Sequence, residues 1–322
     1  MDTYFKKPSL AEAALFTAIL AVIGLMAIYI PLLSFAMILV MPAPLAILVC
    51  RQNIKQGFLS FIVAAIVLFI LCGNPLAIMI LLIQAGPLGL LLGLLFKNNV
   101  TSGKGIAATS VVAVLTTVLT LLLGFWFTGI NPFVMSNEMM DSMEQAIKWY
   151  TDMGMFSENE MGQAKESLEQ MMTLFALLFP GNMVIWSIIS AYLTYVLTRL
   201  CLVKLNLQVL PLPPFSRWFM PWYGIWGAIL GLGSVLLASE FDSSILDAIG
   251  KNLLYVMGFL YCILGIAVVA FYFKKWKTFI GLKIIIVVLI VFYGPFILIL
   301  LGVLDPIFDL RRLARKKDTK GD

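Results

Sequence analysis

Gln84 is the polar side chain best placed to do chemistry in this sequence, because it sits where hydrocarbon would otherwise be unbroken. It lies within NPLAIMILLIQAGPLGLLLG, residues 74–93, after eight apolar residues that follow Asn74-Pro75 and just before Gly86-Pro87. A carboxamide in an apolar medium needs partners, and a proline inside a helix removes a backbone hydrogen bond. Two readings fit. The stretch forms a cavity wall, with Asn74, Gln84, Gly86 and Pro87 facing a solute and Pro42 and Pro44 of a second proline break across from them; or it is a Pro-kinked packing helix whose Gln84 bonds a neighbouring backbone. Asn182 and Trp186 add a second group. The sixth helix is expected to open with Phe179-Pro180-Gly181-Asn182, and with Ser190 the two residues recur at four-residue spacing, which puts a carboxamide and an aromatic on one helix face, suited to a flat heterocycle or to an interfacial anchor.

The missing residue types bound the chemistry further. With no histidine in 322 residues, metalloprotease and Ser-His or Cys-His machinery is excluded. No carboxylate occurs between Glu12 and Glu138 or between Glu169 and Glu240, which removes an intramembrane aspartate pair and the usual carboxylate relay of a proton-coupled carrier. Cys50, Cys72, Cys201 and Cys262 have no CxxC spacing, and no phosphate- or dinucleotide-binding loop is present. The expectation is therefore a protein that is not an enzyme, with no metal, no cofactor and no nucleic-acid partner.

These residues must be positioned by membrane helices. Hydrophobic residues make up 61% and charged residues 12% of the chain, about half the charged fraction of an ordinary soluble domain. Apolar runs over 12–30, 32–49, 57–71, 76–96, 105–128, 172–198, 222–239, 253–273 and 279–304 predict eight to nine membrane helices, since crossing takes about 20 residues. The first run is read as a retained helix rather than a signal peptide. The predicted fold is an all-α integral membrane protein: a six-helix core over 1–200, C-terminal membrane helices over 201–304 and a basic tail over 305–322.

Positive charge sets the expected orientation. Lys6 and Lys7, Arg51 and Lys55, Lys97 and Lys104, Arg199, Lys204 and Arg217, and Lys274, Lys275 and Lys277 all fall on one side. That places the N-terminus in the cytoplasm of a multi-pass protein of the bacterial cell membrane. The other side receives residues 130–170, with eight acids against Lys148 and Lys165. This methionine-rich segment predicts extracytoplasmic amphipathic helices, opened by Ser136 and by Ser157-Glu158-Asn159-Glu160, that roof an outward pocket or rest on headgroups. The ninth run disagrees with the rule. One crossing by 279–304 exports the basic residues from Arg311 to Lys320; a turn back at Gly294-Pro295 keeps them inside, and the charge favours the turn. Trp218, Trp222, Trp226 and Trp276 are expected as inner-side anchors.

Ala11, Ala14, Ala18 and Ala21 put small residues on one face of the first helix, either a partner-docking surface or a seam for another helix of the same chain.

In order, the small-faced first helix, Tyr29-Ile30-Pro31, Pro42-Ala43-Pro44, Arg51 with Asn53 and Gly57, Gln84-Ala85-Gly86-Pro87, the acidic segment, Leu210-Pro211-Leu212-Pro213-Pro214-Phe215 and Leu301-Gly302-Val303-Leu304-Asp305 resemble the YybS-like family of uncharacterised bacterial membrane proteins. More distantly, the first six helices look like the substrate-binding S components of energy-coupling-factor transporters. That resemblance implies a small organic solute held near Asn74, Gln84, Trp126, Asn182 and Trp186, and a transmembrane coupling subunit docked on Ala14 and Ala18. Three further hydrophobic segments and the long acidic segment depart from the S-component pattern. The shape-determining MreD proteins look like relatives without a solute, so the alternative is a non-transporting scaffold that holds an envelope protein.

Overall fold

The computed structural model describes residues 10–129, 142, 145–146, 148–151, 153, 158–275 and 280–311. The paired amphipathic helices expected over 130–170 fall largely outside these residues, as do Trp276 and the tail beyond Arg311. Every regular element described is helical: α1 Leu10–Tyr29, α2 Pro31–Val40, α3 Pro42–Arg51, α4 Ile54–Leu71, α5 Pro75–Lys97, α6 Ser102–Thr128, α7 Glu158–Lys204, α8 Ile225–Phe241, α9 Ser244–Lys275 and α10 Ile280–Phe308. Among the described residues, eight helical stretches are long and apolar enough to cross a membrane, with α2 and α3 together making one of them. Gly294–Phe308 is a shorter apolar helix. The protein is an all-α integral membrane protein embedded in the lipid bilayer.

Local sequence explains where the helices stop. Pro31 restricts Ile30 and begins α2 at its first position, and Ser34 bridges the corner by donating to the Ala27 carbonyl at 2.6 Å. The next break falls at Met41, fully buried, immediately before Pro42 restarts the chain as α3. Asn53 caps α4 by accepting from Gln56 N–H at 2.8 Å, and Gly129 ends α6 in the left-handed conformation that it tolerates best.

Two expected breaks are absent. Helix α5 runs unbroken from Pro75 to Lys97 through Pro87. The proline residue is exposed, while Ala85, Gly86, Leu88 and Gly89 around it are buried. Likewise the sixth membrane helix does not open at 179–182. It belongs to the 47-residue α7, which begins at Glu158 and passes through Pro180.

The chain divides into two compact units, Met1–Pro132 with Trp186–Leu212, and Phe133–Ile185 with Pro213–Asp322. In the first, α5 is central, packing on α3, α4 and α6. One core cluster joins Leu20, Ala64, Leu68, Ile78 and Leu81; another joins Ala46, Ile47, Leu92, Phe96, Tyr195 and Leu202, bringing in the C-terminal part of α7. In the second unit α9 packs on α8 and α10, around Met257, Tyr261 and Leu264. Helix α10 is interrupted by non-helical backbone at Gly294.

Candidate functional site

The stretch around Gln84 is built as a seam. A Cβ added at Gly86 would strike the Phe61 ring; at Gly89, Leu45 and the Pro42 carbonyl; at Gly93, Val49 and the Ala46 carbonyl. The glycines of α5 therefore admit α3 and α4 to close approach, which is how membrane helices gain dispersion energy without a hydrophobic drive. Pro42 and Pro44 are buried, and the Pro42 carbonyl lies against Gly89 of α5. Gln84 is half-buried midway along α5, one position from buried Ala85. Cys50 completes the contact by donating its thiol to the Gly93 carbonyl at 3.3 Å.

Other candidate residues are spread over the molecule. Asn74 is the N-cap of α5, its side-chain oxygen accepting from Ala77 N–H at 3.1 Å. Trp126 is 77% exposed near the end of α6, edge-on to Phe127 with ring centroids 5.2 Å apart. Trp186 is 62% exposed. Asn182 accepts from the Tyr255 hydroxyl at 3.0 Å, within the second unit. The structure thus gives Asn74 and Asn182 intramolecular work and leaves the two tryptophans on exposed faces.

Beside Asn182 lies a polar device that the sequence did not reveal. Asn252 of α9 accepts from Gly181 N–H at 2.6 Å and donates to the Leu177 carbonyl at 2.8 Å. Those two backbone groups are one i, i−4 pair of α7, immediately after Pro180. The carboxamide thereby ties α9 to the weakest turn of the long helix, where proline has already removed one bond.

Two ionic clusters were also missed. At one end of the first unit Glu12 pairs with Arg51 and accepts from Gln52 Nε2 at 3.2 Å, while Lys97 donates to the Gln52 carbonyl. This fastens the start of α1 to the ends of α3 and α5. In the second unit Asp305 and Arg311 are buried, at 5% and 4% exposure. The guanidinium donates to both Asp305 oxygens, with Nη2 to Oδ2 at 2.6 Å, and its Nη1 donates to the Ser216 carbonyl at 2.9 Å. Nη2 also reaches the Trp218 carbonyl. Arg311 is therefore a fixed internal ligand rather than the first charge of a solvated tail. Trp218 likewise packs against the core of Met257 and Tyr261, whereas Trp222 and Trp226 are exposed as expected of anchors. The only sequence signal for the pair was a carboxylate and an arginine six residues apart at the end of the last apolar run.

On α1 the alanine face splits. Ala21 is buried, at 6% exposure, while Ala11, Ala14 and Ala18 are exposed. Among the described residues no group of three or more acidic or cysteine side chains could hold a metal ion.

The chain is 23% identical over 318 residues to the uncharacterized protein YybS of Bacillus subtilis, covering 95% of this chain and 98% of that one. No solved structure matches it. Residues 18–306, from Ala18 of α1 to Pro306 within α10, match the predicted membrane protein family DUF2232, and the chain belongs to that family.

Proposed function

We propose that this is a non-catalytic membrane protein that holds protein partners within the bilayer, with its N-terminus in the cytoplasm. The observation that carries this reading is the closed seam of α5. The glycines that would open toward a solute are filled by Phe61, Leu45 and Val49, and Asn74 and Asn182 are spent on a helix cap and an interhelical bond. The exposed run of Ala11, Ala14 and Ala18 then serves as a docking face for a transmembrane coupling subunit or an envelope protein, on a helix whose start is fastened by Glu12 to Arg51. Purification in mild detergent, with mass spectrometry of both protein and small-molecule fractions, tests this. A stable protein partner and no recurrent small molecule is expected; a recurrent small molecule released on denaturation overturns it.

The second reading, an S-component-like subunit that takes a small organic solute and draws its energy from another protein, is favoured by one observation. Gln84 places a half-buried carboxamide midway along a 23-residue apolar helix. In that reading Gln84→Leu abolishes solute binding and leaves the fold intact, because the leucine meets lipid-like surroundings. Unchanged retention of the co-purified molecule by Gln84→Leu would remove this stretch from the site.

A further inference from the structure

We infer that residues 280–311 form a re-entrant hairpin, entering and leaving the membrane at the face that carries Arg217, Lys274 and Lys275, with the Asp305–Arg311 pair locking the returning arm to the connector at 216–218. The direction of the second arm follows from its register against α9. The two helices cross where Tyr261 and Gly265 meet Gly302 and Leu298, backbone against glycine on each side. From that crossing, Tyr272 lies about nine residues further along α9 and Leu310 about ten further along the arm, and the Tyr272 hydroxyl donates to the Leu310 carbonyl at 2.8 Å. An arm running against α9 would have carried Leu310 toward the opposite end of that helix. Residues 295–310 therefore run the same way as α9 and finish beside its C-terminus.

The first arm must run the other way. Ile280 follows Lys275 by five residues, at most about 18 Å of extended chain, so it starts near the end of α9 at which Leu310 finishes. Both ends of 280–310 thus lie at one end of α9, and the reversal falls at the non-helical Gly294, followed by Pro295. Each arm has 14 helical residues, about 21 Å of rise against a hydrocarbon core of about 30 Å. Neither arm spans alone.

The clamp says why the second arm stays down. Arg311 closes it onto the Ser216 and Trp218 carbonyls, next to exposed Arg217, and exposed Lys274 and Lys275 end α9 at the same level as Tyr272. The chain leaves Arg311 at this face, carrying Arg312, Arg315, Lys316, Lys317 and Lys320. An anionic headgroup layer attracts a basic residue near it by on the order of 1 kcal/mol, so this composition suits the leaflet at that face. Geometry and charge then agree that residues 280–311 return to the face they started from.

The test compares sides rather than assuming an orientation. In a chain whose four cysteines are replaced by alanine, Lys275→Cys and Thr319→Cys are labelled with a membrane-impermeant maleimide in intact and permeabilised cells. The same behaviour at both positions is expected, and labelling of one from outside while the other waits for permeabilisation overturns the hairpin. Should the cysteine-free chain fail to fold, C-terminal reporter fusions to the native chain, one ending after Lys275 and one after Asp322, read the same comparison: matching signals support the hairpin and opposite signals overturn it.

Discussion

Arg311 and Asp305 show how little a single residue type reveals before its surroundings are known. In the sequence Arg311 is one of six basic residues in a run of ten and Asp305 closes an apolar segment; in the structure they are a buried, multiply hydrogen-bonded pair. Both charges are nearly out of contact with solvent, so losing one partner leaves the other uncompensated. Arg311→Leu is expected to destabilise the protein by about 3–5 kcal/mol, and Asp305→Leu together with Arg311→Leu to recover much of that loss. Thermal unfolding in detergent measures both. A double variant no more stable than the single one would mean that the two carbonyl contacts, not the ion pair, carry the stability. At Asn252 the stakes are smaller. Asn252→Leu removes a bridge to two backbone groups of α7, and because interhelical hydrogen bonds in membranes average about 0.6 kcal/mol, a drop of roughly 0.6–2 kcal/mol is expected. Hydrogen exchange at Gly181 should rise with it, since its N–H loses the acceptor now 2.6 Å away; unchanged protection there would show that α7 closes its own ladder.

At the scale of elements, most helices were legible because length and hydropathy suffice to find a membrane span, and Pro31, Asn53, Asn74 and Gly129 mark ends by simple backbone chemistry. The effect of the inner prolines was not legible. Pro42 does begin a new helix, with the break at Met41, whereas Pro87 sits in a helix that continues past it. Pro42 is buried with its backbone carbonyl against Gly89, and Pro87 is exposed; tertiary surroundings of this kind are not written in the local sequence. The same limit kept Asn252 hidden, since its target, the turn after Pro180, lies 71 positions away. Two substitutions in α5 separate the faces. Pro87→Ala should leave stability unchanged or raise it by up to about 1 kcal/mol by restoring a backbone donor. Gly93→Leu, driven into Val49 and the Ala46 carbonyl, should cost about 1–3 kcal/mol or more by overpacking. Equal effects in detergent melting curves would mean that the seam is looser than its contacts indicate.

For the whole molecule, the question is which surface is spent on the fold and which is left for a partner. Large apolar side chains face outward on nearly every helix, among them Val111, Leu115 and Leu122 of α6 and Phe58, Ile66 and Ile70 of α4, and these are matched to lipid tails. The α1 face is different in kind. Ala11, Ala14 and Ala18 leave a shallow strip beside Leu15, Ile19 and Val22, and alanine gains little from lipid but permits a second helix to approach at backbone distance. Since these three alanines are not used internally, enlarging them should leave the fold nearly untouched: Ala14→Leu with Ala18→Leu is expected to shift the unfolding midpoint of the isolated protein by no more than an ordinary surface change, within about 0.5 kcal/mol. Association should respond far more, because a leucine on each of two successive turns separates the helix axes and forfeits the packing along the whole contact. Co-purification of the partner from membranes, quantified against the wild-type chain, is the readout. Loss of the partner with an unchanged melting midpoint supports docking through α1, while full retention in the double variant moves the docking surface elsewhere.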